Sequence, residues 1–393
     1  MKNNWQTKKL REVCEIFNGG TPDTKIAEFW GGDNLWITPK DMGKLDDIYV
    51  DDTGRKITDA GLKNSSAKIL PINSIILSSR APIGHLAINT KEIATNQGCK
   101  GIVPKKGLAA LFLFYFLKNS VELLNSLGSG TTFKELSGSK LAEVKIPFPA
   151  LYEQCRIVKI LDEAFSALTK AKENAEKNLQ NSRELFESYL QSVFANPGGG
   201  WEEKRLGDVC DVIGGGTPSK LNSKFYDGEI FWATVRDMKE EVIKNTEHKI
   251  TKDAVKNSST NIIPKGNVVI ATRVGLGKVC LVENDTAINQ DLKGIIPINS
   301  KILSVDFLFR WLKSISHEII KEGTGATVQG VKLPFIKSLR IPLPSLSEQQ
   351  AIVSKLNALS AETKKLEAIY RQKLADLDEL KKSVLRKAFE GEL

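Results

Sequence analysis

The sequence predicts an α+β protein: two homologous globules separated by two long helices that pair as an antiparallel coiled coil, with internal pseudo-two-fold symmetry. Three observations predict it. Aligning residues 5–42 with 201–238 without a gap gives 15 identities in 38 positions, where chance supplies on the order of two. Each copy ends in some forty residues free of glycine and proline, the length of a coiled-coil helix rather than of an ordinary globular one. Short β-branched runs such as 72–77 and 268–271 have the length and composition of strands. The resulting division is a globule over 1–149, a helix over 150–196, a second globule over 197–344 and a second helix over 345–393.

Taken in order, the copies share Cys14/Cys210, the turns Gly19-Gly20-Thr21-Pro22 and Gly215-Gly216-Thr217-Pro218, Trp36/Trp232 and Asp41-Met42/Asp237-Met238. After a slip in register, Arg80 meets Arg273, and Asn96-Gln97 with Lys100-Gly101 meets Asn289-Gln290 with Lys293-Gly294. A further shift pairs Leu117-Lys118 with Leu312-Lys313 and Gly128/Gly130 with Gly323/Gly325. The copies differ in length at 43–56 against 239–249 and at 105–112 against 298–307, which read as loops because insertions are tolerated where backbone groups face water. Segments 112–117 and 307–312 read as amphipathic helices. The most apolar run, 108–117, is about half of a bilayer span and ends in Lys118, so it reads as a buried helix and no membrane partner is expected.

Each long helix follows a proline-punctuated strand end and a Glu-Gln pair, Glu153-Gln154 or Glu348-Gln349. A seven-residue grid puts Ile157, Leu161, Ala164, Leu168, Ala171, Ala175, Leu185 and Tyr189 on one seam, broken by Asn178, Ser182 and Ser192. The second seam holds Ile352, Leu356, Leu359, Leu366, Tyr370, Leu377, Leu380 and Val384, broken by Thr363, Lys373 and Lys387. Asn196-Pro197-Gly198-Gly199-Gly200 stops the first helix. A helix of this length spans about 60 Å, so an antiparallel pair would hold the globules at opposite ends and bring the C-terminus back to the first one.

The net charge of +9 sits in the globules, +5 over 1–149 and +4 over 196–344, while the helices carry −1 and +1. A basic excess on compact domains is compatible with phosphate binding. Five cysteines without a C-x-x-C pair argue against a disulfide framework, and no apolar run follows the N-terminal charges; a reducing cytoplasm is the expected compartment. His85, His248 and His317 lack partners at metal-ligand spacing. Gly277-Lys278-Val279 lacks both the upstream glycine and the hydroxyl residue of a phosphate-binding loop. The Asn-Pro at 196–197 runs into glycines instead of the Pro-Tyr or Pro-Phe of an adenine methyltransferase, and an acidic-x-Lys end at Glu143-Val144-Lys145 faces Ser338-Leu339-Arg340 in the other copy, as a solvated strand end would. No catalytic centre, cofactor or metal is therefore expected in this chain.

The duplicated Gly-Gly-Thr-Pro turns, each followed by Trp36-Ile37-Thr38 or Trp232-Ala233-Thr234, the Pro-x-Leu-x-Glu-Gln stretches at 149–154 and 344–349, and the ending Ser383-Val384-Leu385-Arg386-Lys387-Ala388-Phe389-Glu390-Gly391-Glu392-Leu393 together resemble the DNA-specificity subunit of type I restriction-modification systems. The resemblance covers nearly the whole chain. It implies that each globule is a target recognition domain reading one half of a split double-stranded DNA site, with the helices as a ruler for the spacer. It implies a non-catalytic chain on which two modification (methyltransferase) subunits using S-adenosylmethionine dock, joined by restriction subunits that use ATP and Mg. A recognition subunit of a related system, with cleavage and methylation fused on one partner, remains the alternative.

Comparing the copies suggests which residues meet DNA, because shared positions suit scaffold or phosphate contact and differing ones suit base reading. The shared cations are Lys40/Arg236, Arg80/Arg273 and Lys100/Lys293; the alternative for each is a structural ion pair. The differing candidates are His85 facing Lys278, Lys220 in the segment facing Asp23-Thr24-Lys25, and Arg55 in a loop whose partner contains Lys244 and His248. Asn96-Gln97 and Asn289-Gln290 suit a scaffold hydrogen-bond role, and Trp36/Trp232 suit the core.

Overall fold

Apolar β-branched runs supply the central strands of two similar globules. The computed structural model describes residues 5–45, 47–80, 82–130, 134–323 and 330–393; the first four residues and the Gly325 of the repeat lie outside them. The chain divides into two units, residues 1–175 with 372–393 and residues 176–371, each holding one globule and a stretch of both long helices.

In the first unit, Cys14–Asn18, Cys99–Pro104, Ile75–Ser78, Leu86–Asn89 and Tyr49–Val50 form a five-stranded sheet in that order, antiparallel except for the last pair. Lys56–Ile57, Trp30–Ile37 and Ile93–Thr95 form a second sheet, in which Trp36 lies opposite Ala94 on a parallel neighbour. The strand expected over 72–77 begins only at Ile75, because Asn73 takes a left-handed φ of 66°, which asparagine tolerates, and turns the chain first. The helix Ala110–Asn119 buries every residue from Phe112 to Leu117, so it is enclosed on all sides instead of amphipathic.

The second unit repeats the plan with Cys210–Gly214, Leu292–Pro297, Val268–Ala271, Val279–Val282 and Val242–Ile243 in one sheet. Its other sheet has His248–Ile250, Ile230–Ala233, Thr286–Ile288 and Asn261–Ile263; in the first unit the last of these shrinks to the bridge Leu70↔Ile93. The segments of unequal length are not loops throughout. Each supplies a two-residue edge strand, Tyr49–Val50 or Val242–Ile243, that joins its sheet in parallel, and the extra residues of the first copy all lie before it. Residues 105–112 and 298–307 likewise run into the first turns of Ala110–Asn119 and Val305–Ser314.

Each long helix, Leu151–Ala195 and Leu346–Glu390, is bolted to its globule by a fully buried glutamine. Gln154 Nε2 donates to the carbonyls of Gly107 and Pro149, both at 2.9 Å, and Oε1 accepts from Ala109 N at 2.9 Å. Gln349 repeats this with Ile302, Pro344 and Ser304. Using both N–H donors and the carbonyl oxygen is what makes a buried amide tolerable, and it accounts for the glutamine in both motifs. Within the first unit, Arg156 donates to Leu393 O at 2.7 Å, Lys381 lies over Phe165 at 5.2 Å and Lys172 meets Asp378 at 3.0 Å, an ascending-against-descending order that makes the pair antiparallel. Phe389 of the C-terminal helix packs on Phe112 and Phe116, as Phe194 of the central helix packs on Phe307 in the second unit.

The seven-residue seam departs from the expected one. Leu185, Tyr189, Leu366 and Leu380 are 53, 40, 38 and 48% exposed, whereas Ser182 and Thr363, which break the grid, are 5 and 4% exposed. A helix at 3.6 residues per turn drifts by about 20° per heptad from a strict 3.5 repeat, which carries a stripe out of contact over six heptads. Ser182 donates to Asn178 O and Thr363 to Leu359 O, so small side chains fill the contact without leaving a hydroxyl unsatisfied.

Candidate nucleic-acid interface

The Gly-Gly-Thr-Pro turn of each globule rests directly on backbone. A Cβ at Gly19 or Gly215 would fall on the carbonyl of Asn96 or Asn289, and one at Gly20 or Gly216 on the backbone at Ser66 and Ala67 or at Ser259 and Thr260. Only glycine allows that approach. Thr21 then bonds Gln97, as Thr217 bonds Gln290, and Asn96 donates to Thr21 at 2.8 Å. Asn96 and Gln97 thus clamp the first turn, whereas in the second Gln290 does so and Asn289 donates to Asp291 Oδ2 at 3.1 Å. The indole of Trp36 lies beneath, 1% exposed, with Nε1 donating to Gly20 O at 2.9 Å; Trp232 does the same to Gly216 O at 3.2 Å.

Beyond each tryptophan the strand ends in a cap. Thr38 N and Oγ1 donate to Asp41 Oδ2 at 3.0 and 2.7 Å, and Thr234 to Asp237 Oδ2 at 2.8 and 3.0 Å. This explains Asp41/Asp237 in the repeat and leaves Lys40 and Arg236 exposed on the cap. In the second unit an open cleft of about 840 Å³ gathers Thr217, Lys220, Tyr226, Trp232, Arg236 and His248. Arg236 approaches Glu247 at 3.9 Å.

The remaining shared cations are tied down. Glu135 pairs with Arg80 at 3.0 Å and Lys100 at 3.7 Å, and Lys100 is 4% exposed. Arg273 instead pairs with Asp291 at 3.5 Å, and Lys293 donates to Gln290 O at 3.1 Å. The counter-charge comes from different places in the two copies of the repeat, since Gly330 stands where Glu135 would and Gly98 where Asp291 would. Burial holds both lysines below the usual ammonium range. Lys100 therefore sits under the surface as part of a structural ion pair whose outer layer is Arg80, 46% exposed, and Arg273, 51% exposed, is the outer member of its own pair with Asp291. His85 is half-buried, packed toward Gly43. Lys278 donates to Met238 O at 3.4 Å and lines a separate cleft with Lys239, Lys244 and Glu241.

Sequence comparison missed one correspondence. Thr53 Oγ1 accepts from Trp36 N and donates to Arg55 O; Thr246 Oγ1 accepts from Trp232 N and donates to His248 O. The loops that looked wholly different thus end in the same Thr-x-(Arg/His) device. Carrying the register of Arg80/Arg273 back across the slip would have found it.

Among the described residues, no cluster of His, Cys, Asp and Glu is placed to hold a metal ion, and no helix is long and apolar enough to cross a membrane. Cys14, Cys99, Cys210 and Cys280 are buried thiols, pushed by burial up to about 12, 12, 12 and 11 respectively. Glu143 is held by Lys9 and Arg11 at 2.6 and 2.5 Å in surface ion pairs.

The scaffold that repeats in the two units matches a single family twice over: the model of the type I restriction modification DNA specificity domain fits residues 2–178 and again 198–374. This chain belongs to that family. Among its relatives, the type I restriction enzyme MjaIX specificity subunit of Methanocaldococcus jannaschii is 30% identical over 378 residues, spanning 91% of this chain and 86% of that one. The EcoR124I/EcoR124II specificity subunit of Escherichia coli is 34% identical over 233 residues, 56% of each chain. The HsdS subunit of Thermoanaerobacter tengcongensis shares the fold at a TM-score of 0.66 and 20% identity, covering 100% of this chain and 98% of that one. A chain from a structure of complex assembly in the type I R-M system reaches 0.77 at 21% identity, covering 99 and 98%. The role of this specificity subunit is DNA sequence specificity, and the alternative of a partner with fused cleavage and methylation is not favoured.

Proposed function

We propose that each globule of this specificity subunit reads one half of a split DNA target, and that the paired helices set the spacer and dock two modification subunits. The observation that carries this is the repeated scaffold: one Gly-Gly-Thr-Pro turn and buried tryptophan in both units, surrounded by different basic side chains. A common frame with differing readers suits two unlike half-sites, each contact needing only modest strength because the second is intramolecular. Lys40, Arg80, Arg236 and Arg273 serve phosphates; Arg55, His85, Lys220 and Lys278 vary between the units and serve specificity; Lys100 and Lys293 support the site from beneath. Exposed Leu185, Tyr189, Leu366 and Ile369 give the helices an apolar face suited to docking.

In this reading the chain performs no chemistry and works in the cytoplasm. S-adenosylmethionine belongs to the modification subunits, and ATP and Mg to the restriction subunits. Mapping methylated adenines on DNA treated with the reconstituted complex should return a bipartite motif. The chain alone, given DNA and labelled S-adenosylmethionine, should transfer no methyl group; transfer by the pure chain would overturn the reading.

A further inference from the structure

Arg55 and His248 occupy one position in two copies of a single device. Each follows a threonine that ties its carbonyl to the backbone of the buried tryptophan: Thr53 Oγ1 to Arg55 O at 2.7 Å and Thr246 Oγ1 to His248 O at 2.6 Å. Each side chain then packs against that indole, Arg55 over its face and His248 at a tilt. The Arg55 guanidinium is 4.6 Å from the Trp36 ring centroid and 5.5 Å from that of Trp30, and the His248 ring is 6.4 Å from Trp232 at a tilt of 43°. A second aromatic braces each platform edge-on, Trp30 at 5.0 Å from Trp36 and Tyr226 at 5.8 Å from Trp232. Both side chains are nonetheless exposed. They are oriented by contact with the rings while their polar edges stay available.

From this geometry we infer that Arg55 and His248 are equivalent specificity positions, each reading one base edge in its own half-site. The inference rests on the reading of each globule as a half-site reader and deepens it. A side chain held by carbonyl tether and ring contact loses little further freedom on binding, as base readout needs and a long-range phosphate contact does not. Arginine presents a fork of donors that matches O6 and N7 of guanine, whereas imidazole offers a single donor or acceptor per nitrogen and suits one purine N7. The first half-site therefore contains a guanine fixed by Arg55, and the second a purine read by His248 with less stringency.

The test uses the full-length chain assembled with its modification subunits and a library of duplexes randomised over both half-sites, with methylated adenines mapped by sequencing. R55H should reduce preference at one position of the first half-site by roughly 5- to 150-fold, the range expected for a lost bidentate contact. The second half-site should be unchanged. H248R should sharpen one position of the second half-site toward guanine. R55K, which keeps the cation over the indole but removes the fork, should behave as R55H does, and thermal melting of each variant checks that the globule is intact. A uniform loss across all sequences, or an unaltered motif in folded variants, would overturn the inference. If the unmodified complex yields no two-part motif at all, the half-site reading falls and this inference with it.

Discussion

At the scale of single residues, Glu241 shows how the second globule grips its helix. Burial alone would raise its pKa, but Arg310 at 2.9 Å, Lys313 at 3.2 Å and Lys364 at 3.4 Å overcompensate and bring it to about 2. Arg310, 8% exposed at its side chain, also bonds Asn357 Oδ1 at 2.8 Å. The first unit puts Tyr115 and Asp162 at the corresponding positions, joined by a 2.5 Å hydrogen bond. A carboxyl lowered on folding stabilises above its unfolded pKa, and that stability is lost as pH falls from about 4.5 through about 2. E241Q should therefore destabilise the second globule by on the order of 2–3 kcal/mol at neutral pH, since it leaves Arg310 buried without its counter-charge. The deficit should shrink as the pH approaches 2, read by hydrogen exchange over Val305–Ser314. An equal deficit at all pH values would show that Glu241 acts through packing. None of this was visible in the sequence, where Glu241 is one acid in a loop of unequal length.

At the scale of elements, the helices were legible as helices but their contact face was not. Length, composition and the Glu-Gln start are local properties. Which residues face the partner depends on the accumulated twist of two helices and on the size of the side chains between them. T363L should cost about 1–3 kcal/mol through overpacking, because Thr363 is 4% exposed in a contact built for small side chains. L185S should change the stability of the isolated chain by no more than about 0.5 kcal/mol yet weaken capture of the modification subunits. Denaturant melts and a pull-down of the complex separate the two effects; a large destabilisation by L185S would restore the strict heptad seam. The glutamine bolts are a different case. The repeat singled them out, and their role became clear only when the carbonyls of residues 107 and 149, or 302 and 344, were seen to converge on them.

At the scale of the molecule, the duplication suggests how a half-chain behaves. Leu385, Ala388 and Phe389 complete the core of the first unit, and Leu190 and Phe194 stand at the matching positions of the central helix. A fragment of residues 1–196 lacks the first set but carries the second. It should dimerise, each copy lending Leu190 and Phe194 to the other, and with modification subunits it should direct methylation to a symmetric duplicate of the first half-site. Strictly monomeric sedimentation would count against this. Adding about one helical turn, roughly four residues, to both helices should lengthen the spacer in the methylation motif and leave the bases of each half-site alone. A change in those bases would sink the ruler role.

By itself the sequence determined the duplication, the α+β class, the two long helices and the family, because these reside in local composition and in order along the chain. It also marked the Gly-Gly-Thr-Pro turns and the buried tryptophans: a Cβ at Gly19 would fall on the Asn96 carbonyl, and the Trp36 indole beneath supplies the N–H that Gly20 O accepts. Tertiary structure alone decided that Lys100 is an internal ion-pair member, that Ser182 and Thr363 belong to the helix contact, and that Arg55 and His248 each pack against the buried tryptophan. Each of these depends on which side chains distant in sequence converge on one point, and convergence is set by packing that no local pattern encodes.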